Sequence, residues 1–452
     1  VSRNRLTLGL CIGILAIAFE SIAVATAMPA AAQDLDRVTW YAWAFSAFQV
    51  GMLFSSVLAG RLSDRIGPVR PLIGGMIVFA IGLVVAGSAG SMEQLIIGRL
   101  IQGLGGGAQN VALYVLVSRV FSETERPRVF SWISTAWVLP AFVGPPIAAF
   151  LTEQLSWHWV FFAVLPMIAA TALLAVPTML QLRRDGLDTG HAESSPVPIW
   201  AAVLVAAGVP LVQVAGQLLS LWSIPLLVAA IAVFAIALPR ALSPGFFHRG
   251  QGPDAVALRY VILSRGLMAG SYFAAESFIP LSLVEMRGMK LFWAGAILTL
   301  GSIGWTSGAW IQSRLGRSVR RDLIIVAGLG CVSIGVGLAA LVARVPGVPV
   351  GVMIAAWIIG GFGMGLAVAS QSIATMRLSP PEAQGRNASS LQLGEALANS
   401  VLVAVAGSIF AALHPGGNLP LTFGTVLGFT VLTALFGVFL ATRIGPVTDT
   451  DR

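Results

Sequence analysis

The sequence predicts an all-α polytopic membrane protein. Three observations carry that prediction. Apolar residues fill 57% of 452 positions and charged residues only 10%, where a soluble domain carries about 25% charged residues. Apolar runs of about 20 residues recur along the chain, long enough to cross ~30 Å of hydrocarbon at 1.5 Å per residue. The chain also repeats itself: Ile101-x-Gly103-x-Gly105-x-Gly107 returns as Ile359-x-Gly361-x-Gly363-x-Gly365, and Arg128-x-x-Ser131 as Arg386-x-x-Ser389. Helices are favoured because, in lipid, only a helix or a closed barrel satisfies its own backbone.

Fourteen spans are expected, at roughly 7–30, 39–60, 69–89, 94–119, 129–151, 157–181, 197–216, 219–239, 258–284, 289–312, 322–343, 349–376, 387–412 and 419–442. The first follows Arg3 and Arg5 and ends near Ala27-Met28-Pro29, which has the outline of a signal peptide. Its run is too long for a signal core and Glu20 interrupts it, so it is read as a span. Spans 1–6 and 9–14 form two parallel halves, because Ala18-Phe19-Glu20-Ser21 in span 1 echoes Ala274-Ala275-Glu276-Ser277 in span 9. Spans 7 and 8 have no counterpart and read as an inserted pair. The domains expected are 1–182, a linker region 183–257 holding the pair at 197–216 and 219–239, 258–443, and a tail 444–452. Repeats of this kind place a substrate site at their interface near the bilayer midplane.

An even number of spans puts both termini on one side. Of the 27 Lys and Arg, Arg37, Arg287, Lys290 and Arg344 fall on the other side and Arg99 and Arg265 within spans, leaving 21 beside the termini. Basic residues are retained in the cytoplasm, so both termini are expected there and the chain in the inner (cytoplasmic) membrane of the cell. The net charge of +8 comes from residues scattered through short loops, which argues against nucleic acid as a partner. Cys11 and Cys331 lie in apolar runs, and His158, His191, His248 and His414 lack ligand spacing. Neither a disulfide nor a metal site is expected.

Between spans 2 and 3 lies a charged turn, Gly60-Arg61-Leu62-Ser63-Asp64-Arg65-Ile66-Gly67-Pro68-Val69-Arg70. Its glycines allow a tight turn, and Asp64 can pair with arginine or cap a helix. An ordinary positive-inside loop and a latch between two helices both fit these residues. The pattern G-x-L-x-D-R-x-G-x-x-R resembles the signature loop of the major facilitator superfamily, with Pro68 where a basic residue is usual. The resemblance implies two six-helix bundles, here with two extra linker helices, and gating roles for Gly60, Asp64, Arg65, Gly67 and Arg70. A degenerate echo, Ser313-Arg314-Leu315-Gly316-Arg317, has serine in place of the aspartate.

Charges deep in a span cost at least ~2.5–3.5 kcal/mol and are functional candidates for that reason. Glu20 lies about 13 Å below the outer surface and Arg99 about 8 Å, within mutual reach if spans 1 and 4 are neighbours. A guanidinium favours the ionised carboxylate and burial the neutral one, so such an acid can load and release a proton. A static ion pair locking two helices is the alternative. On span 4, Arg99, Gln102, Gly103, Gly106 and Asn110 make one small and polar stripe, suited to close packing or to lining a wet cavity.

Three further stretches resemble the fourteen-span drug:proton antiporters of that superfamily. They are Glu20 through Pro29, Arg99-x-x-Gln102-Gly103, and span 5 with Pro140, Gly144, Pro145 and Pro146 followed by Ala148 and Ala149. A proline-kinked helix explains span 5 equally well. Trp157-His158-Trp159 also resembles their start of span 6. The resemblance implies proton-coupled export of an amphipathic compound, with Glu20 and Arg99 coupling protons and Gly144 and Pro145 in the antiporter motif.

The second half departs from the first, because Trp357 stands in the place of Arg99. Glu276 is then a lone acid that could attract substrate, and Glu395, about 12 Å from the cytoplasmic side, is a second candidate. For both, a hydrogen bond to a neighbouring helix is the alternative. Gln102, Asn110, Trp137, Glu276, Gln371 and Glu395 are the expected cavity residues, with Trp40, Phe142, Tyr272, Phe273, Gln392 and Asn399 beyond them. The partners expected are a small amphipathic substrate, protons and the lipid bilayer, for a monomer with no cofactor besides the proton gradient. A proton-coupled importer of a small solute and a lipid or envelope-component exporter on the same fold stay open. No nucleotide-binding or hydrolase motif is visible, which argues against an enzyme.

Overall fold

The computed structural model describes residues 3–122, 124–186, 188, 199–218, 223–241, 253–315, 318–380 and 383–447, with backbone alone at 127, 134, 199, 241 and 253. His191, His248, Gly316, Arg317 and most of the two linkers lie outside the described residues. The helices are α1 (Arg3–Asp34), α2 (Tyr41–Ile66), α3 (Val69–Gly87), α4 (Met92–Val120), α5 (Arg126–Gln154), α6 (His158–Phe162), α7 (Leu165–Arg184) and α8 (Ile199–Leu218). They continue as α9 (Ser223–Ala241), α10 (Pro253–Arg287), α11 (Leu291–Leu315), α12 (Arg321–Arg344), α13 (Val350–Arg377), α14 (Gln384–Leu413) and α15 (Leu419–Ala441).

Among the described residues, 13 helices are long and apolar enough to cross a membrane. The tenth expected span, α11, has the length, 25 residues, but its glycines, serines, threonines and tryptophans make it less apolar than the rest. The sixth expected span is broken into α6 and α7. Pro166 sits in the first turn of α7, where its missing N–H is tolerated but would interrupt a continuous helix.

The chain divides into two compact units, Val1–Ala206 and Ala207–Arg452, with the boundary inside α8. In the first unit α4 packs along α2 and α3, and the glycine run of α4 explains how. Gly103 and Gly107 lie against the α2 backbone at Phe48 and Met52, while Gly105 lies against α3 at Phe79. A side chain at any of these would strike main-chain atoms, so the helices meet at backbone distance. α1 packs on α5 and α7, and Gly13 admits Gln109 and Thr171. Leu6, Leu10, Ile14, Leu72, Leu113 and Met179 belong to a buried apolar cluster of this unit.

The second unit repeats the arrangement. Gly361 and Gly365 of α13 lie on α11 at Gly301 and Trp305, and Gly363 lies on α12 at Gly328 and Val332. α10 packs on α14 and α15. Gly216 of α8 lies against Ser408, whose hydroxyl donates to the Gln213 carbonyl at 3.4 Å. α9 leaves Ile224, Val228 and Ile231 more than half exposed, the surface of a helix that faces lipid.

The start of the expected tail is pinned down. The Arg321 amide donates to the Val447 carbonyl at 2.8 Å, and the Val447 amide donates to Asp322 Oδ1 at 3.1 Å. Ile444 and Val447 are buried there.

Candidate functional site

Glu20, on α1, is 0% exposed, and Arg99, on α4, is 2% exposed. The two form an ion pair. Arg99 Nε also donates to the Ala44 carbonyl at 3.0 Å, and its NH1 donates to Gln102 Oε1 at 2.8 Å. The guanidinium lies 4.3 Å from the centre of the Phe48 ring. Three helices therefore meet on one cation, because α4 approaches α2 closely enough for Arg99 to reach an α2 carbonyl. A charge so enclosed persists only when paired and hydrogen-bonded. Chemically, the carboxylate can take a proton once the pair parts, and the three other contacts hold Arg99 in place when it does.

Other residues of the α4 stripe lie further along the helix. Gly103 packs as described, and Gly106 meets only ordinary contacts with Phe79 and Phe48. Gln102 Nε2, both polar atoms of Gln109 and Asn110 Oδ1 are buried with no partner among the described residues. Trp137 is half-buried and packs on the apolar cluster of the first unit. Gly144 and Pro145 are buried, with Gly144 facing Phe19 and Ile22 of α1. The span-5 motif thus lies against the helix that carries Glu20.

The signature loop is shorter than its sequence suggests, since α2 continues through Asp64 and Arg65 to Ile66. Gly67 follows at φ +83°, a conformation glycine adopts without strain. Asp64 Oδ1 lies 3.6 Å from Arg119 NH2 at the end of α4, while Arg65 and Arg70 are exposed and Gly60 is half-buried. Asp188, beyond α7, accepts a hydrogen bond from the Val69 amide at 3.3 Å. Sequence reasoning gave Asp188 no role, because nothing in its neighbours marks it as a cap.

In the second unit Trp357 occupies the position matching Arg99 and is fully buried. It stacks on Tyr272, with ring centres 4.5 Å apart and planes 17° apart, and Trp305 meets Tyr272 edge-on at 6.0 Å. Glu276, one turn from Tyr272 on α10, is half-buried and has no ion pair or hydrogen bond among the described residues. Glu395 is not alone. Arg265 Nε donates to its Oε2 at 2.8 Å, NH2 lies 2.8 Å from the same oxygen, and NH1 of Arg265 donates to the Val368 carbonyl at 2.7 Å. Gln371 is buried and donates to Ser264 Oγ at 3.2 Å; Asn399 is buried and Gln392 exposed. The Arg265–Glu395 pair was missed because 130 residues separate its members; the signal available was that Arg265 is one of two arginines within spans.

Among the described residues no group of His, Cys, Asp and Glu could hold a metal ion. His158 rests on the Ala89 carbonyl at 3.2 Å, and His414 lies 3.1 Å from Glu285 Oε2.

Two helical units with the same internal packing and glycine-lined contacts, built of helices long and apolar enough to cross a membrane, define a polytopic membrane protein. The chain belongs to the Major Facilitator Superfamily, whose pattern it matches over residues 10–403, and is a membrane transporter and not an enzyme. It is 26% identical over 398 residues to Multidrug resistance protein 3 of Bacillus subtilis, covering 85% of this chain and 75% of that one. It is 24% identical over 439 residues to a Mycobacterium tuberculosis protein named as a probable multidrug-efflux transporter, covering 93% and 90%. A crystal structure of a POT family transporter in complex with a thioalcohol-conjugated peptide superposes with a TM-score of 0.72 at 16% identity, covering 98% of this chain and 96% of that one. At that identity the likeness is one of fold.

Proposed function

We propose that this transporter exports drug-like amphipathic compounds in exchange for protons, by alternating access from the cytoplasmic membrane, with both termini in the cytoplasm. The observation that carries the reading is the enclosed Glu20–Arg99 pair. A carboxylate at membrane depth with a removable counter-charge suits a group that loads a proton on one side and releases it on the other. The substrate class is supported by relatives named for multidrug resistance and efflux. In this reading Glu20 carries the proton, Arg99 balances it, Asp64 and Arg65 gate the passage, and the lone acid Glu276 meets the substrate.

The test is transport in proteoliposomes with a set pH gradient, using ethidium, tetraphenylphosphonium, chloramphenicol and norfloxacin as a panel. Wild-type protein should move at least one of them against the direction of proton flow. Glu20→Gln should lose pH-driven transport and retain substrate exchange at normal expression. Unchanged pH-driven transport in that variant would remove Glu20 from the mechanism. Movement of substrate with the protons would make the chain an importer, and no transport of the panel with altered envelope lipid would make it a lipid exporter.

A further inference from the structure

The second unit holds an ion pair that the mechanism above leaves unused. Arg265 lies about 18 Å along α10 from Pro253, and Glu395 about 17 Å along α14 from Gln384. Both are therefore well inside their spans, where a charge is unfavourable unless compensated. Arg265 is compensated fully: two nitrogens serve Glu395 and the third serves Val368, so α10, α13 and α14 meet on one guanidinium. Glu395 is compensated by half. Its Oε2 takes both contacts, whereas Oε1 has no partner among the described residues. Its side chain is 20% exposed against 6% for Arg265.

That asymmetry is chemically pointed. A purely structural pair gains most when the planar guanidinium meets both carboxylate oxygens. Here one oxygen is committed and the other is left reachable, which is where a proton attaches. Protonation of Oε1 would weaken the hold of Oε2 on Arg265, and Val368 would keep the arginine in place. The Glu20–Arg99 pair has the same ingredients: an enclosed arginine, a backbone carbonyl that retains it, and a carboxylate from another helix. The second pair is no copy of the first, because the positions matching Glu395 and Arg265 in the first unit are Trp137 and Gly9.

Among the described residues, the nearest titratable or charged groups on α10 besides Arg265 are Tyr260, Arg259, Tyr272 and Glu276, about 8, 9, 11 and 17 Å along the helix from it. On α13, Arg377 is about 14 Å beyond Val368, and on α14, Arg386 is about 14 Å from Glu395. α15, which packs on α10 and α14, contains none.

We propose that Glu395 is a second proton-carrying carboxylate with Arg265 as its counter-charge, so that each cycle moves two protons. The inference rests on the proton-coupled reading above and adds a stoichiometry to it. It is tested in proteoliposomes with the membrane potential held at zero, using whichever panel compound the wild-type protein moves fastest. One proton per substrate sustains about a tenfold substrate gradient per pH unit, and two sustain about a hundredfold. Wild-type protein should hold about a hundredfold gradient and Glu395→Gln about tenfold. The double variant Arg265→Gln/Glu395→Gln, which leaves neither charge unpaired, should also hold about tenfold. A tenfold gradient in wild-type protein, or a hundredfold gradient in either variant, would overturn the proposal. A wild-type protein that sustains no gradient at all would instead bring down the proton-coupled reading itself.

Discussion

Arg99 is held by Glu20, Ala44, Gln102 and the face of Phe48, so removing its charge should be felt twice. Arg99→Ala leaves Glu20 buried and unpaired, and loss of one partner of a buried pair costs about 3–5 kcal/mol. A marked fall in thermal unfolding temperature in detergent, with loss of pH-driven transport, is the expected outcome. Glu20→Gln is milder, because a neutral amide can still bond Arg99. A contrasting acid lies outside the membrane. Hydrogen bonds from the Ser122 hydroxyl and amide, with the Arg3 guanidinium beside it, hold the Glu125 carboxyl down at about 2. A depressed value means that this contribution is complete above the ordinary 4.5 and is lost only as pH falls through about 2. Glu125→Gln should therefore leave the shape of the transport–pH profile between pH 5 and 8 unchanged, as measured by dye efflux. The Glu20–Arg99 contact was legible on one condition, that spans 1 and 4 are neighbours, because two charges at similar depth in a charge-poor layer have few other partners. Asp188 and the Arg265–Glu395 pair were not legible: helix depth does not say which faces meet.

The glycine-lined faces of α4 and α13 set how the elements fit. Gly103 abuts α2 main-chain atoms, whereas the site of a Cβ on Gly106 has its nearest neighbour, in the Phe79 ring, at 3.5 Å. Gly103→Ala should destabilise by about 1–3 kcal/mol through overpacking. Gly106→Ala should be neutral or stabilising by up to about 1 kcal/mol, because alanine favours helix over glycine. Unfolding temperatures of the two variants, side by side, check this. The stripe was visible in the sequence as small residues at helical spacing, but its division between two neighbours was not. Alternate glycines point to opposite partners, which a single-face reading merges. The break before α7 follows from Pro166, whose effect on a span depends on whether neighbouring groups can satisfy the backbone it frees.

At the scale of the molecule, the repeat was the most informative feature of the sequence. It located corresponding helices in the two units, and the same glycine contacts recur in both. It also showed where the units diverge, since Trp357 replaces Arg99 and stacks on Tyr272. The orientation proposed above rests on the placement of arginine. Single cysteines at Arg5 and Arg443, in a variant whose Cys11 and Cys331 are replaced by serine, should react with a membrane-impermeant maleimide in inverted vesicles and stay unlabelled in intact cells. Labelling in intact cells would reverse the assignment and with it the sidedness of Glu20.

Val447 completes hydrogen bonds at the start of α12, more than a hundred residues earlier in the chain. A nascent chain stalled before Val447 presents Asp322 and the Arg321 amide without this closure. Any affinity tag joined directly at residue 447 would pull on the same two bonds, so a long polar spacer belongs between them.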